Sequence, residues 1–145
     1  MVMSQRATPT RSSGRILVVD DEPDVAELLA ETLSIDGHRV ETATSGAAAL
    51  ERLLDRPFDL VFSDMKMPGM SGAELYDEVA RRHPGLEHRM VFITGDSFNP
   101  TTRQFFEKTG AVCVGKPFDV DEIRRLVVHY TSPPSPGVAE IALRS

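Results

Sequence analysis

Apolar positions along the chain fall into short continuous runs separated by stretches of helical period. Residues 16–19 form the first run, and Val25, Leu28, Leu29, Thr32 and Leu33 then recur at the spacing of one helix face, with Gly37 as a stop. Val40 and Thr42 alternate with Arg39 and Glu41, the pattern of a half-buried edge strand. Ala47, Leu50 and Leu54 mark a second helix after Ser45. Residues 60–62 are a third strand, and Leu75 and Val79 face inward from a third helix. Residues 90–93 are a fourth strand, and residues 98–109 hold a fourth helix with Phe105 and Phe106. Residues 111–114 make a short fifth strand, and Val120, Ile123, Val127 and Tyr130 line one side of a last helix.

Five strands alternating with five helices predict an α/β fold with a parallel sheet covered on both faces, because parallel crossovers are long, helical and right-handed. Residues 1–14 are polar and read as a flexible arm. Residues 15–130 form one domain, and residues 131–145, opening on "TSPPSPG", read as a flexible tail.

Composition narrows the function. With 22 acidic against 16 basic residues the net charge is −6, which argues against direct nucleic-acid binding and for a cation or a basic partner. One cysteine, Cys113, excludes an internal disulfide. No run approaches the ~20 apolar residues of a membrane span and no signal peptide opens the chain, so the expected location is cytoplasmic.

A parallel sheet collects the carboxyl ends of its strands on one edge, where ligands bind. There the sequence places Asp20, Asp21 and Glu22 after the first strand and Asp64 after the third. Thr94, Gly95 and Asp96 follow the fourth strand, and Gly115, Lys116 and Pro117 the fifth. Gathered carboxylates repel unless a hard cation or a cationic side chain neutralises them, and all-oxygen donors favour magnesium. A hydroxyl and an ammonium beside them suit a phosphoryl group, with Asp64 as nucleophile. Taken singly, each residue has a plainer reading: Asp21 and Glu22 before Pro23 suit a helix cap, and Lys116 suits a surface lysine. The four histidines show no ligand spacing and read as surface or structural, Cys113 as a small buried strand residue, and Met65 and Met67 as packing under the loop after Asp64.

"ILVVDDEPDV", "DLVFSDMKMPGMSG", "VFITGD" and "VGKPF" together resemble the receiver domain of bacterial two-component response regulators, over about residues 14–130. With the resemblance goes the fold class: a five-stranded parallel sheet of order 2-1-3-4-5 with helices on both faces, flavodoxin-like. It implies Asp64 as phospho-acceptor, Thr94 as switch hydroxyl and Lys116 as phosphate-binding lysine. It also implies Mg2+ held by Asp20, Asp21, Asp64 and the backbone carbonyl of Lys66, and a cis peptide between Lys116 and Pro117. The implied partner is a sensor histidine kinase or phosphotransfer protein. Three residues before the lysine, where many receivers carry Tyr or Phe, this chain has Cys113, and "KTGAVCVGKPF" looks more like the receivers of hybrid sensor kinases.

Two other functions compete: a degenerate receiver that only binds partners, and a phosphatase of the haloacid dehalogenase type. The latter needs an Asp two residues after the nucleophile, where this chain has Lys66. Enzymatic activity is expected to extend at most to self-phosphorylation from a phosphodonor and autodephosphorylation. With no effector domain expected after Tyr130, the chain reads as a stand-alone receiver or a piece of a larger kinase. Lys66 and Asp96 are expected to flank the mouth of the site as an opposite-charge pair, and exposed Phe98, Phe105 or Phe106 would mark a partner surface.

Overall fold

A computed structural model describes residues 14–95 and 99–131. Five strands, β1 (Arg15–Val19), β2 (Arg39–Ala43), β3 (Leu60–Ser63), β4 (Met90–Thr94) and β5 (Val112–Gly115), form one sheet of order 2-1-3-4-5. Every neighbouring pair is parallel. Between and after them run α1 (Pro23–Ile35), α2 (Gly46–Asp55), α3 (Gly72–Arg82), α4 (Pro100–Thr109) and α5 (Val120–Thr131), with a 3-10 turn at Leu86–Arg89 leading into β4. The expected fold class is therefore the one the described residues adopt.

The burial of the strands follows their composition. β3 and β4 are buried along their whole length, as apolar strands in the middle of a doubly covered sheet must be. β2, with its alternating charges, is half-buried at one edge. Alternate side chains of a strand point to opposite faces, so the core divides in two. Leu17, Val19, Val61 and Phe92 pack with α2 and α3 residues such as Leu50, Leu53, Leu75 and Val79. Ile16, Val18, Leu60, Phe62 and Val91 pack with α1 and α5 residues such as Leu29, Leu33, Ile123 and Val127.

Helix faces depart from the sequence reading at two places. In α2 the buried side is Gly46, Ala49, Leu50 and Leu53, whereas Ala47 is exposed and Leu54 is 71% exposed. In α1 the buried residues are Ala26, Leu29 and Leu33, and Leu28 is 55% exposed. In both helices a small alanine occupies the inward position, which lets the helix sit close to the sheet, and a leucine beside the stripe faces outward. Cys113 lies on edge strand β5 and is half-buried rather than buried. Of the residues read as an arm only Gly14 is described, and α5 runs through Thr131, so residues 1–13 and 132–145 lie outside the described residues.

Candidate functional site

Backbone hydrogen bonds carry the order of the sheet past the strand ends. Asp20 N–H donates to Ala43 O at 3.1 Å, Asp64 N–H to Val19 O at 2.9 Å and Lys116 N–H to Thr94 O at 2.9 Å. Residues far apart in sequence thereby meet on one edge. Thr94, 1% exposed, closes β4 opposite Gly115, and the peptide from Lys116 to Pro117 is cis, as the resemblance implied.

The side chains converge on the lysine. Lys116 Nζ donates to Asp20 Oδ2 at 3.1 Å and to Asp64 Oδ2 at 3.3 Å, with Glu22 Oε1 at 3.8 Å. The second oxygen of each aspartate is held by backbone: Asp64 Oδ1 accepts from Met65 N–H at 2.8 Å, and Asp20 Oδ1 from Glu22 N–H at 2.9 Å. Asp20 is 4% exposed and Asp64 8%, while Asp21 is half-buried. Oxygens of Asp20, Asp21 and Asp64 lie within 4.8 Å of one another. That donor set, hard oxygens on fixed backbone, fits a small divalent cation.

The electrostatics bear the mark of this crowding. Burial pushes the Asp64 carboxyl above its ordinary 3.8, and the charge of Asp20 adds to the rise against the opposing pull of Lys116. For Lys116 burial works against the charge, but the hydrogen bond to Asp20 and the fields of Asp64 and Asp20 outweigh it, so its pKa is raised from 10.5. The lysine stays a cation, and one ammonium faces several carboxylates.

The loop after Asp64 is closed at its base. Gly72 N–H donates to Met65 O at 2.8 Å, and Ser63 Oγ donates to Asp64 O at 2.8 Å. A Cβ on Gly72 would stand 2.4 Å from Asp64 O and 2.9 Å from Met65 Cα, so only glycine permits this approach. Ser71 then starts α3 with a reciprocal cap: its Oγ accepts from Glu74 N–H at 3.1 Å and its own N–H donates to Glu74 Oε1 at 2.9 Å. Met65 and Met67 are buried beneath the loop, as read from the sequence.

Asp20, Asp21, Asp64, Thr94 and Lys116 therefore share one edge, while the Lys66 side chain is exposed. The expected partner of Lys66, Asp96, lies outside the described residues, as does Phe98. Phe105 and Phe106 are half-buried against the core, in edge-to-face contact with Phe92. Glu22, placed on this edge by the sequence, does not take its plainer reading as a helix cap: it makes no side-chain cap on α1 and instead approaches Lys116. Sequence reasoning missed two contributors. Met65 N–H and Gly72 act through backbone, and only the glycine left a sequence signal.

Among the described residues no helix is long and apolar enough to cross a membrane. The sequence matches the family described as response regulator receiver domain over residues 16–128. A probable cyclic di-GMP phosphodiesterase of Vibrio cholerae is 39% identical over 114 residues, 77% of this chain and 25% of that protein. Sensor histidine kinase AruS of Pseudomonas aeruginosa is 36% identical over 124 residues, 82% of this chain and 12% of the kinase. The chain thus spans a quarter or less of the length of these relatives. Among solved structures, the receiver domain of NtrX from Brucella abortus matches with a TM-score of 0.66 at 36% identity, covering 90% of this chain and 98% of that one.

Proposed function

The chain belongs to the response regulator receiver domain family, and on that premise we propose that it is a phosphorylation-controlled switch that takes a phosphoryl group onto Asp64 from a histidine kinase or phosphotransfer protein. One observation carries the reading: Asp64 Oδ1 is fixed by Met65 N–H while Oδ2 faces the Lys116 ammonium at 3.3 Å. A carboxylate held this way presents one oxygen toward a cation that can bind the oxygens of an incoming phosphoryl group. In the transfer a bond forms between an Asp64 oxygen and phosphorus, and the bond from phosphorus to the donor breaks. The electron pair leaves with the donor, which regains a proton. Asp20, Asp21, Asp64 and the Lys66 carbonyl would hold Mg2+, which when bound offsets negative charge on the transferred group. Thr94, at the end of β4, is the hydroxyl that answers the modification. Relatives that include a sensor histidine kinase support a kinase as donor. The protein acts in the cytoplasm, on protein partners rather than nucleic acid.

Intact mass after incubation with magnesium and a small-molecule phosphodonor tests this. The protein should gain one phosphoryl group, and Asp64→Asn should gain none. Equal labelling of the variant would overturn the assignment. A phosphatase reading finds no support at Lys66, which stands where such an enzyme needs a carboxylate.

A further inference from the structure

Along the outer strand β2 the fold gathers positive charge, in a chain whose net charge is −6. Arg15 of β1 and Arg39 of β2 are partners in register. Neighbouring strands lie about 4.8 Å apart and paired residues point to the same face, so two like charges start side by side where α2 covers the sheet. Like charges placed opposite each other destabilise a sheet. Arg52 in the last turn of α2 and Arg56 just beyond it bring two more.

Glu41 answers three of these arginines at once. Arg56 Nη1 donates to its Oε2 at 2.6 Å, Arg15 Nη1 stands 3.7 Å from the same oxygen, and Arg52 Nε stands 3.8 Å from Oε1. Asp55 adds a contact of 3.6 Å to Arg56 Nη2. Arg39 is exposed and forms no ion pair among the described residues. Arg15, Arg39, Arg52 and Arg56 thus share Glu41 and Asp55, and positive charge is left over. Guanidinium groups in surplus call for a carboxylate or phosphate, whose oxygens match their fork of donors.

The layout of the strand decides which anion fits. Arg39 opens β2, whereas Arg52 Nε donates to Thr42 O at 3.3 Å near its end. At ~3.3 Å per residue these points are roughly 10 Å apart, more than one small anion spans. The backbone is open there as well. Arg39 N–H turns inward to Gly14 O at 2.8 Å, so the groups of Val40 turn outward, on the side of β2 that no further strand covers. An extended chain with carboxylates on alternate residues, roughly 7 Å apart on one face, meets both the arginines and the open strand.

We propose that β2 is a docking edge for an extended acidic segment of a partner protein. Carboxylates of the segment pair with Arg39 and Arg52, and its backbone runs beside Val40. β1 stands between this edge and β3, which leads to Asp64, so docking leaves the carboxylate cluster open to a phosphodonor.

The test is an NMR titration of the full 145-residue chain at low ionic strength with a capped hexapeptide of alternating glutamate and threonine. The same peptide with glutamine for glutamate is the control. The acidic peptide should shift the backbone amides of Val40 and Thr42 and the guanidinium signals of Arg39 and Arg52, and added salt should weaken its binding. The double variant Arg39→Gln, Arg52→Gln should bind it about tenfold more weakly, the worth of two exposed ion pairs. Arg39→Gln alone disturbs no ion pair among the described residues and should still weaken binding about threefold. Equal binding of the glutamine peptide, unchanged binding by the variants, or no shift along β2 would overturn the proposal. Inorganic phosphate giving the same shifts at the same concentration would overturn it as well, because a single small anion would then suffice.

Discussion

The two edges of the sheet treat charge in opposite ways. At the edge where the strands begin, polar groups answer one another. Arg15 N–H donates to Asp59 Oδ2 at 2.9 Å, Arg39 N–H to Gly14 O at 2.8 Å, and Gly14 N–H to His38 Nδ1 at 3.2 Å. Arg89 bridges two carbonyls there. At the edge where the strands end, Lys116 serves Asp20, Asp64 and Glu22 together, and Asp64 stays hard to ionise because of its burial and the nearby Asp20. One edge uses its polar groups to hold the fold. The other uses the fold to hold polar groups that, left to themselves, would move apart.

If this contrast is right, the edges must respond differently to substitution. Lys116→Met should have the largest effect, lowering stability without magnesium by about 1–3 kcal/mol, because it leaves buried carboxylates without their cation. Magnesium should close much of that gap; at 100 times its dissociation constant a ligand contributes about 2.7 kcal/mol. Urea unfolding with and without the metal checks this, and a loss indifferent to magnesium would break the comparison. Ser71→Ala removes the cap of α3 and should cost about 1 kcal/mol whether or not magnesium is present. Arg89→Met, at the opposite edge, should cost still less, about 0.5–1 kcal/mol for exposed bonds, again without any metal dependence.

The smallest effect is one of slope, and its sign differs between the edges. Because the Asp64 pKa is raised, its contribution to stability is fully present below 3.8 and is lost as the pH rises through the raised value. The His38 pKa is lowered by burial, against the pull of Asp36, so its contribution is present above 6.5 and is lost as the pH falls through the lowered value. Relative to the natural protein, Asp64→Asn should therefore gain melting temperature as the pH rises from 3.8, and His38→Gln should gain it as the pH falls below 6.5. Melting curves across that range would show two opposed trends. Parallel trends would mean that one of the two groups is not held toward its neutral form by burial.

The sheet and the site were legible because their signals are repetitive or concentrated. Continuous apolar runs such as "VFIT" need burial on both sides, and the acids after β1 and β3 fall on one edge once the strands are parallel. Helix faces were harder to read. Leu53 and Leu54 are neighbours with the same apolarity, and only packing against Val61 and Phe92 decides that the first turns inward. Ala26 carries too little apolar surface to outvote Leu28 in a periodicity, yet its small size wins the inward position. Interactions made by backbone, such as Met65 N–H on Asp64, have no side-chain signature to read.

The hydrogen bond from Gly72 to Met65 has a practical consequence for engineering. It fastens the two ends of the segment from Lys66 to Ser71, and the Ser71–Glu74 cap secures the helix beyond it. What lies between is exchangeable only in part: the side chains of Lys66 and Pro68 face solvent, whereas Met67 and Met70 pack against the core and Gly69 stands at a φ of 82°. Libraries built at residues 66 and 68 would then vary what surrounds the acceptor without rebuilding the scaffold, provided Met67, Gly69, Met70, Ser71 and Gly72 are left untouched.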